Sequence, residues 1–184
     1  MAIKKVGVVG CGLMGAGIVQ VSAQAGYDVV VSEINDELIT KGVASIKKTL
    51  TKAVEKGKAT QEDADAAFAR IKGTTDMKDF ADCDLVIEAV IEKMDLKQKV
   101  FGDLDKICKP STIFASNTSC LSVIDMAKST ERKDKVIGMH FFNPVHIMKL
   151  MELIRTILND DATVAEVKAF GESVGKTVIV VPAV

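Results

Sequence analysis

The sequence predicts an α/β fold, a doubly wound, mostly parallel sheet with a helical hairpin inserted after the second strand. Three observations carry this. Short β-rich apolar runs recur along the chain, helical periodicity fills the intervals between them, and a glycine-rich turn joins the first run to the first helix. The first strand is read at residues 4–9. Glycines follow, then an apolar-periodic stretch over 14–25 that closes at Gly26, a residue suited to a left-handed helix end. DVVVS at 28–32 is a second buried strand and completes a βαβ unit. Further strands are read at 85–88, 112–115, 136–139 and 177–181, each preceded by a helical pattern. Between the second strand, at 28–32, and the third, at 85–88, lie about fifty residues, more than a plain crossover needs. Residues 36–55 and 61–70 are helical in period and rich in Lys, Glu and Ala, with Gly57 as a stop, so a helical arm over about 36–72 is expected to project from the sheet.

At 184 residues the chain suits one domain, 1–184, able to bury roughly 70% of its extended surface. Lys and Arg total 24 against 25 Asp and Glu, a net charge of −1 that argues against an electrostatically held nucleic acid or an anionic membrane as partner. With seven Phe, one Tyr and no Trp, a base-stacking platform is not expected either. No run approaches the ~18 apolar residues of a membrane span, and the first strand begins too early for a signal peptide. Cys11, Cys83, Cys108 and Cys120 stand apart without a CxxC pair, and four free thiols are expected. Both readings place the protein in the cytoplasm. The two histidines, His140 and His146, are too few and too isolated for a metal site.

The chemistry begins at the turn after the first strand. Gly10-Cys11-Gly12-Leu13-Met14-Gly15 is GxGxxG placed directly between strand and helix, the dinucleotide-binding arrangement of a Rossmann-type fold. Gly10 permits the tight turn, Gly12 lets backbone approach a pyrophosphate, and Gly15 allows helix and strand to pack closely. The helix N-terminus then offers unpaired N–H groups to phosphate. Glu33 ends the second strand, about twenty residues on, where a carboxylate accepts from both ribose hydroxyls and repels a 2′-phosphate. NAD is therefore predicted rather than NADP. A flavin ranks lower, because so short a chain has little room for FAD and a second substrate.

In such sheets ligands lie beyond the carboxyl ends of the strands. Those ends carry Glu88 and Glu92, then Asn117-Thr118-Ser119, then His140. Oxidising an alcohol with NAD needs a base for the hydroxyl proton, and His140 is the natural candidate. A hairpin centred on residue 146 places Glu152 directly opposite His140, where the carboxylate fixes the imidazole tautomer and stabilises its charged form. His146 falls in the turn and is read as structural or exposed. Ser119 and Asn117 could bind a carbonyl or a carboxamide, with capping of the next helix as the competing role for the serine. The lysines of the arm, Lys41, Lys48, Lys52, Lys56 and Lys58, read on composition as a solvated face, the alternative being contact with an anionic substrate.

Together GCGLMGAGI, DLVIEAVIE, FASNTS and above all GMHFFNPVHIMKLMELI resemble the NAD-binding domain of 3-hydroxyacyl-CoA dehydrogenases, over essentially the whole chain and nearest the bacterial short-chain branch that acts on 3-hydroxybutyryl-CoA. The resemblance implies oxidation of a short-chain (S)-3-hydroxyacyl-CoA to the 3-oxoacyl-CoA, within fatty acid and butanoate metabolism. It implies His140 as catalytic base, Glu152 as its partner and Ser119 near both substrate carbonyl and cofactor. Glu33, Glu92, Lys97 and Asn143 match NAD contacts; Thr49 and Lys56 match coenzyme A contacts, which raises the arm to a functional element. In the family a proline-glycine-phenylalanine segment with an active-site asparagine follows, then a helical domain that builds a homodimer. Neither lies within these residues, so dimerisation is expected of a chain that carries that domain. Cys120 stands where the family's NTSS has its second serine. Two alternatives remain open: a non-catalytic NAD-binding module, and a dehydrogenase of a 3-hydroxy acid without coenzyme A.

Overall fold

Lys5–Val9 (β1) runs through the middle of the sheet because its alternate residues are apolar toward both faces. A computed structural model describes residues 3–183. After β1 come Leu13–Gln24 (α1), Asp28–Ser32 (β2), Asp36–Glu55 (α2), Gln61–Ala69 (α3) and Ile71–Thr74 (β3). Leu85–Glu88 (β4), Met94–Ile107 (α4), Ile113–Ser116 (β5) and the short Val123–Ala127 (α5) follow. Val136–Phe141 (β6), Leu150–Arg155 (β7), Asp161–Ser173 (α6) and Thr177–Pro182 (β8) complete the chain. The eight strands form one sheet in the order β3-β2-β1-β4-β5-β6-β7-β8. All neighbours are parallel except β6 and β7.

The period of two sorts side chains onto two cores. Val6, Val8, Val31, Leu85, Ile87 and Ile137 face α1, α2, α3 and α6. Val9, Val30, Val86 and Phe114 face α4, α5 and the 3-10 turn that carries Phe80. On that second face Phe101 stacks on Phe114 at 5.9 Å, and the Arg132 guanidinium lies over the Phe114 ring at 4.7 Å. The helix ends follow their sequence signals. Asn35 caps α2 by accepting from Leu38 N, Thr60 and Asp63 form a capping box on α3, and Gly26, with φ of 94°, turns the chain after α1.

Two expectations change. Residues 71 and 72, read as the end of the helical arm, begin β3, an edge strand parallel to β2. Its sequence, IKGT, carries a single large apolar residue, since an edge strand needs little burial. Nor does the arm project from the sheet. Ile46 and Leu50 of α2 and Ala64 and Ala67 of α3 belong to the same core as α1, so the two helices form an outer layer over it. Among the described residues, no helix is long and apolar enough to cross a membrane.

Candidate functional site

The glycine turn sits where β1 ends. Gly10 has φ of 97°, and a Cβ there would press on the Ala89 carbonyl that follows β4. Gly10 N donates to Ser32 O at 2.9 Å, which ties the turn to β2. Gly12 caps α1 without any side-chain hydrogen bond, and a Cβ on it would meet nothing within 4 Å. The first turn of α1 therefore presents backbone N–H groups and a positive dipole end to open space, as a pyrophosphate requires. Glu33, just past β2, accepts from Cys11 N at 2.7 Å, so its carboxylate is held beside the turn. Burial, and then the Glu33 charge, push the Cys11 thiol up to about 12, which keeps it protonated and unreactive. Leu13, Ile34 and Ile91 are 74, 85 and 62% exposed around this crevice. Large apolar side chains left bare at strand ends are apt partners for an adenine ring. The geometry fits a dinucleotide.

A groove of about 450 Å³ runs between α1 and α2 and is lined by Gly12, Glu33, Lys41, Thr49, Asn143 and His146. Gly42 of α2 also lines it, at a point where any Cβ would collide with Cys11. The hydroxyl of Thr49 donates to Ser45 O at 3.1 Å within the helix. Lys56 is exposed at the C-cap of α2 and does not line the groove. Burial and the charges of Lys176 and Lys58 hold the His146 imidazole below its ordinary pKa.

The second centre lies at the far end of β6. His140 pairs with Glu152 across the antiparallel β6–β7 ladder, and His140 Nδ1 lies 2.9 Å from Glu152 Oε2. Their side chains are 19 and 33% exposed, sheltered but reachable. The Phe142 ring packs on the imidazole at 4.5 Å between centroids. With Nδ1 occupied by the carboxylate, Nε2 is the nitrogen left for a ligand. His140, Glu152, Ser119, Cys120 and Pro182 line a cavity of about 300 Å³. Ser122, not Ser119, caps α5 by accepting from Asp125 N, so capping does not claim the Ser119 hydroxyl. Asn117 Oδ1 accepts from Phe141 N at 2.9 Å and braces β5 against β6, a structural task.

Between the two centres is an ionic chain that sequence spacing did not disclose. Glu88, wholly buried at the end of β4, accepts from Lys97 Nζ at 2.7 Å, Ser116 Oγ at 2.6 Å and Val90 N at 2.8 Å. Lys97 also reaches Glu92 at 3.1 Å. Glu92 in turn accepts from the Thr118 hydroxyl and from Ser119 N. Burial opposes its charge, but hydrogen bonds from Thr118 and Lys97, with the Lys97 charge, hold its carboxyl below the ordinary range. Lys97, matched by resemblance to a cofactor contact, is only 1% exposed and spends its ammonium on these two carboxylates.

The structure thus groups Gly10, Cys11, Gly12, Leu13 and Glu33 at one crevice, with Met14 half-buried and Gly15 buried behind it. His140, Glu152 and Ser119 meet at another, joined by Glu92. Lys56 stands apart. Gly42, Ile34 and Ile91 have no place in the sequence reading, and Glu88, read there as a strand-end carboxylate, gains its partners only in the fold; a bare isoleucine directly after Glu33 is the one available signal. Among the described residues, no group of three or more His, Cys, Asp or Glu could hold a metal ion.

Residues 5–184 match the model of the family described as 3-hydroxyacyl-CoA dehydrogenase, NAD binding domain. A 3-hydroxybutyryl-CoA dehydrogenase of Bradyrhizobium diazoefficiens is 45% identical over 178 residues, 97% of this chain and 61% of that protein. One of Mycobacterium tuberculosis is 44% identical over 180 residues, covering 97% of this chain and 63% of its own length. The crystal structure of an (S)-3-hydroxybutyryl-CoA dehydrogenase from Ralstonia eutropha superposes with a TM-score of 0.97 at 44% identity, covering all of this chain and 65% of that one. The chain spans a little under two thirds of the length of these relatives.

Proposed function

The chain belongs to the family of NAD-binding domains of 3-hydroxyacyl-CoA dehydrogenases, and from that premise we propose that it is the cofactor-binding part of an enzyme interconverting (S)-3-hydroxybutanoyl-CoA and acetoacetyl-CoA. The observation that carries the reading is the His140–Glu152 pair at 2.9 Å, opening with Ser119 onto a cavity at the carboxyl edge of a dinucleotide fold. A module that only bound NAD would need no acid–base pair there. Four unpaired cysteines, three of them buried, agree with a reducing compartment such as the cytoplasm.

NAD, when bound, supplies the hydride acceptor. The turn at Gly10–Gly15 receives its pyrophosphate on backbone N–H groups, and Glu33 accepts from the adenosine ribose hydroxyls. Glu92 and Asn143 serve the nicotinamide half. His140 takes the C3 hydroxyl proton at Nε2, Glu152 holds Nδ1–H and stabilises the imidazolium, and Ser119 binds the substrate oxygen. In the reverse direction the imidazolium returns the proton. Coenzyme A lies on the α2 side of the groove, along Lys41 and Thr49, with Lys56 meeting the nucleotide end in solvent.

The direct experiment mixes the intact protein with NADH and acetoacetyl-CoA. Oxidation of NADH dependent on the thioester is expected. NADH binding without oxidation would leave a non-catalytic module, and turnover of a free 3-oxo acid with no effect of coenzyme A would move the substrate out of the thioester class. Two variants sharpen the assignment. Glu33→Ala is expected to weaken NAD by about tenfold and to narrow its preference over NADP, measured by paired titrations, because the ribose acceptor and the repulsion of a 2′-phosphate are lost together. Lys56→Ala is expected to raise KM for acetoacetyl-CoA about threefold to tenfold with kcat unchanged, as loss of a uniform, solvent-screened contact does.

A further inference from the structure

Glu88 is a buried acid that the reaction itself does not use. Its three partners, the Lys97 ammonium, the Ser116 hydroxyl and the Val90 amide, all donate, which is the pattern a carboxylate accepts. Lys97 is shared with Glu92, and both Lys97 and Glu88 are cut off from water, at 1 and 0% exposure. Two carboxylates and one ammonium leave one net negative charge, and the outer carboxylate, 37% exposed, is where it meets the crevice. That carboxylate holds Thr118 and Ser119, which line the cavity of His140. Hydride transfer at a carbon whose oxygen sits on His140 brings the nicotinamide ring to the same place. The ring is cationic in NAD+ and neutral in NADH.

We infer that Glu88 is a positioning residue whose buried charge, passed through Lys97 to Glu92, favours the oxidised cofactor over the reduced one. The inference rests on the cofactor reading above and deepens it. Without Glu88 the remaining Lys97–Glu92 pair is neutral, and the attraction specific to the cationic ring disappears. Fixed charges in a water-poor crevice are worth more than the same charges in bulk solvent, so the effect should be measurable at ordinary ionic strength.

The test is Glu88→Gln in the intact protein, with Kd measured for NAD+, NADH and ADP-ribose. NAD+ should weaken about tenfold while NADH and ADP-ribose stay within about twofold, since the charge difference resides in the ring alone. Equal weakening of NAD+ and NADH would show a merely structural residue and overturn the inference, as would unchanged affinities for both. If a thermal melt shows that Glu88→Gln does not fold, Glu92→Gln removes the same net charge from a half-exposed position. It should lower the ratio of NAD+ to NADH affinity by a similar factor, and an unchanged ratio overturns the inference. Wild-type protein that binds neither NAD+ nor NADH would remove the cofactor reading first, and this inference with it.

Discussion

His140→Ala is expected to lower kcat for acetoacetyl-CoA reduction roughly a thousandfold while leaving NADH affinity within about twofold of wild type. The two halves of that expectation come from different parts of the sheet. The imidazole stands in its cavity hydrogen-bonded to a carboxylate, so its loss removes both the proton donor and the purpose of Glu152. The cofactor crevice is built at the ends of β1 and β2 from backbone and Glu33, none of which touches His140. Stopped-flow reduction and a fluorescence titration separate these effects. A variant with weakened NADH binding and near-normal kcat would reverse the assignment. Glu152 acts only through the imidazole, so a Glu152 substitution added to His140→Ala should cost little more; residues that work as a unit are not additive.

Gly15→Ala is expected to cost about 3 kcal/mol of stability, visible as a fall in Tm of roughly 6–12 °C, and to weaken NAD by at least about tenfold. One methyl group does this because the Cβ would fall well inside van der Waals contact with the Gly10 carbonyl oxygen. Backbone is the obstacle, not a flexible side chain, so α1 must lift from the turn or Gly10 must leave its φ of 97°. Either movement displaces the N–H groups that receive the pyrophosphate. A contrast is available at Gly12, where a Cβ meets nothing within 4 Å. Alanine there should leave Tm close to wild type while still obstructing the cofactor. Equal losses of Tm at the two glycines would contradict this division between packing and ligand approach.

Most of the fold was readable because its strands are central. A strand buried on both faces must be apolar throughout, and residues 28–32 and 85–88 announce themselves in that way. At the edge, β3 escapes detection because neither burial nor periodicity constrains it. The His140–Glu152 pairing follows from counting, since an antiparallel hairpin about residue 146 fixes partners by arithmetic, and the β6–β7 register is the one that counting gives. The packing of α2 and α3 on α1 was not readable, because Lys, Glu and Ala at helical spacing describe a solvated face whether or not the other face is covered. Lys97 is the sharpest example. Its position along α4 is plain in the sequence, but that its ammonium turns inward onto Glu88 depends on where the ends of β4 and β5 meet, a long-range fact that spacing does not carry.

The central claim is that one edge of the sheet brings the substrate oxygen to His140 while the glycine turn holds NAD. A crystal structure of the intact protein with NAD+ and acetoacetyl-CoA bound together measures this directly. The C3 oxygen of the thioester is expected within about 3 Å of His140 Nε2, with Nδ1 still on Glu152 and the cofactor pyrophosphate over Gly12. A C3 oxygen bound elsewhere, with His140 turned away from it, would contradict the account.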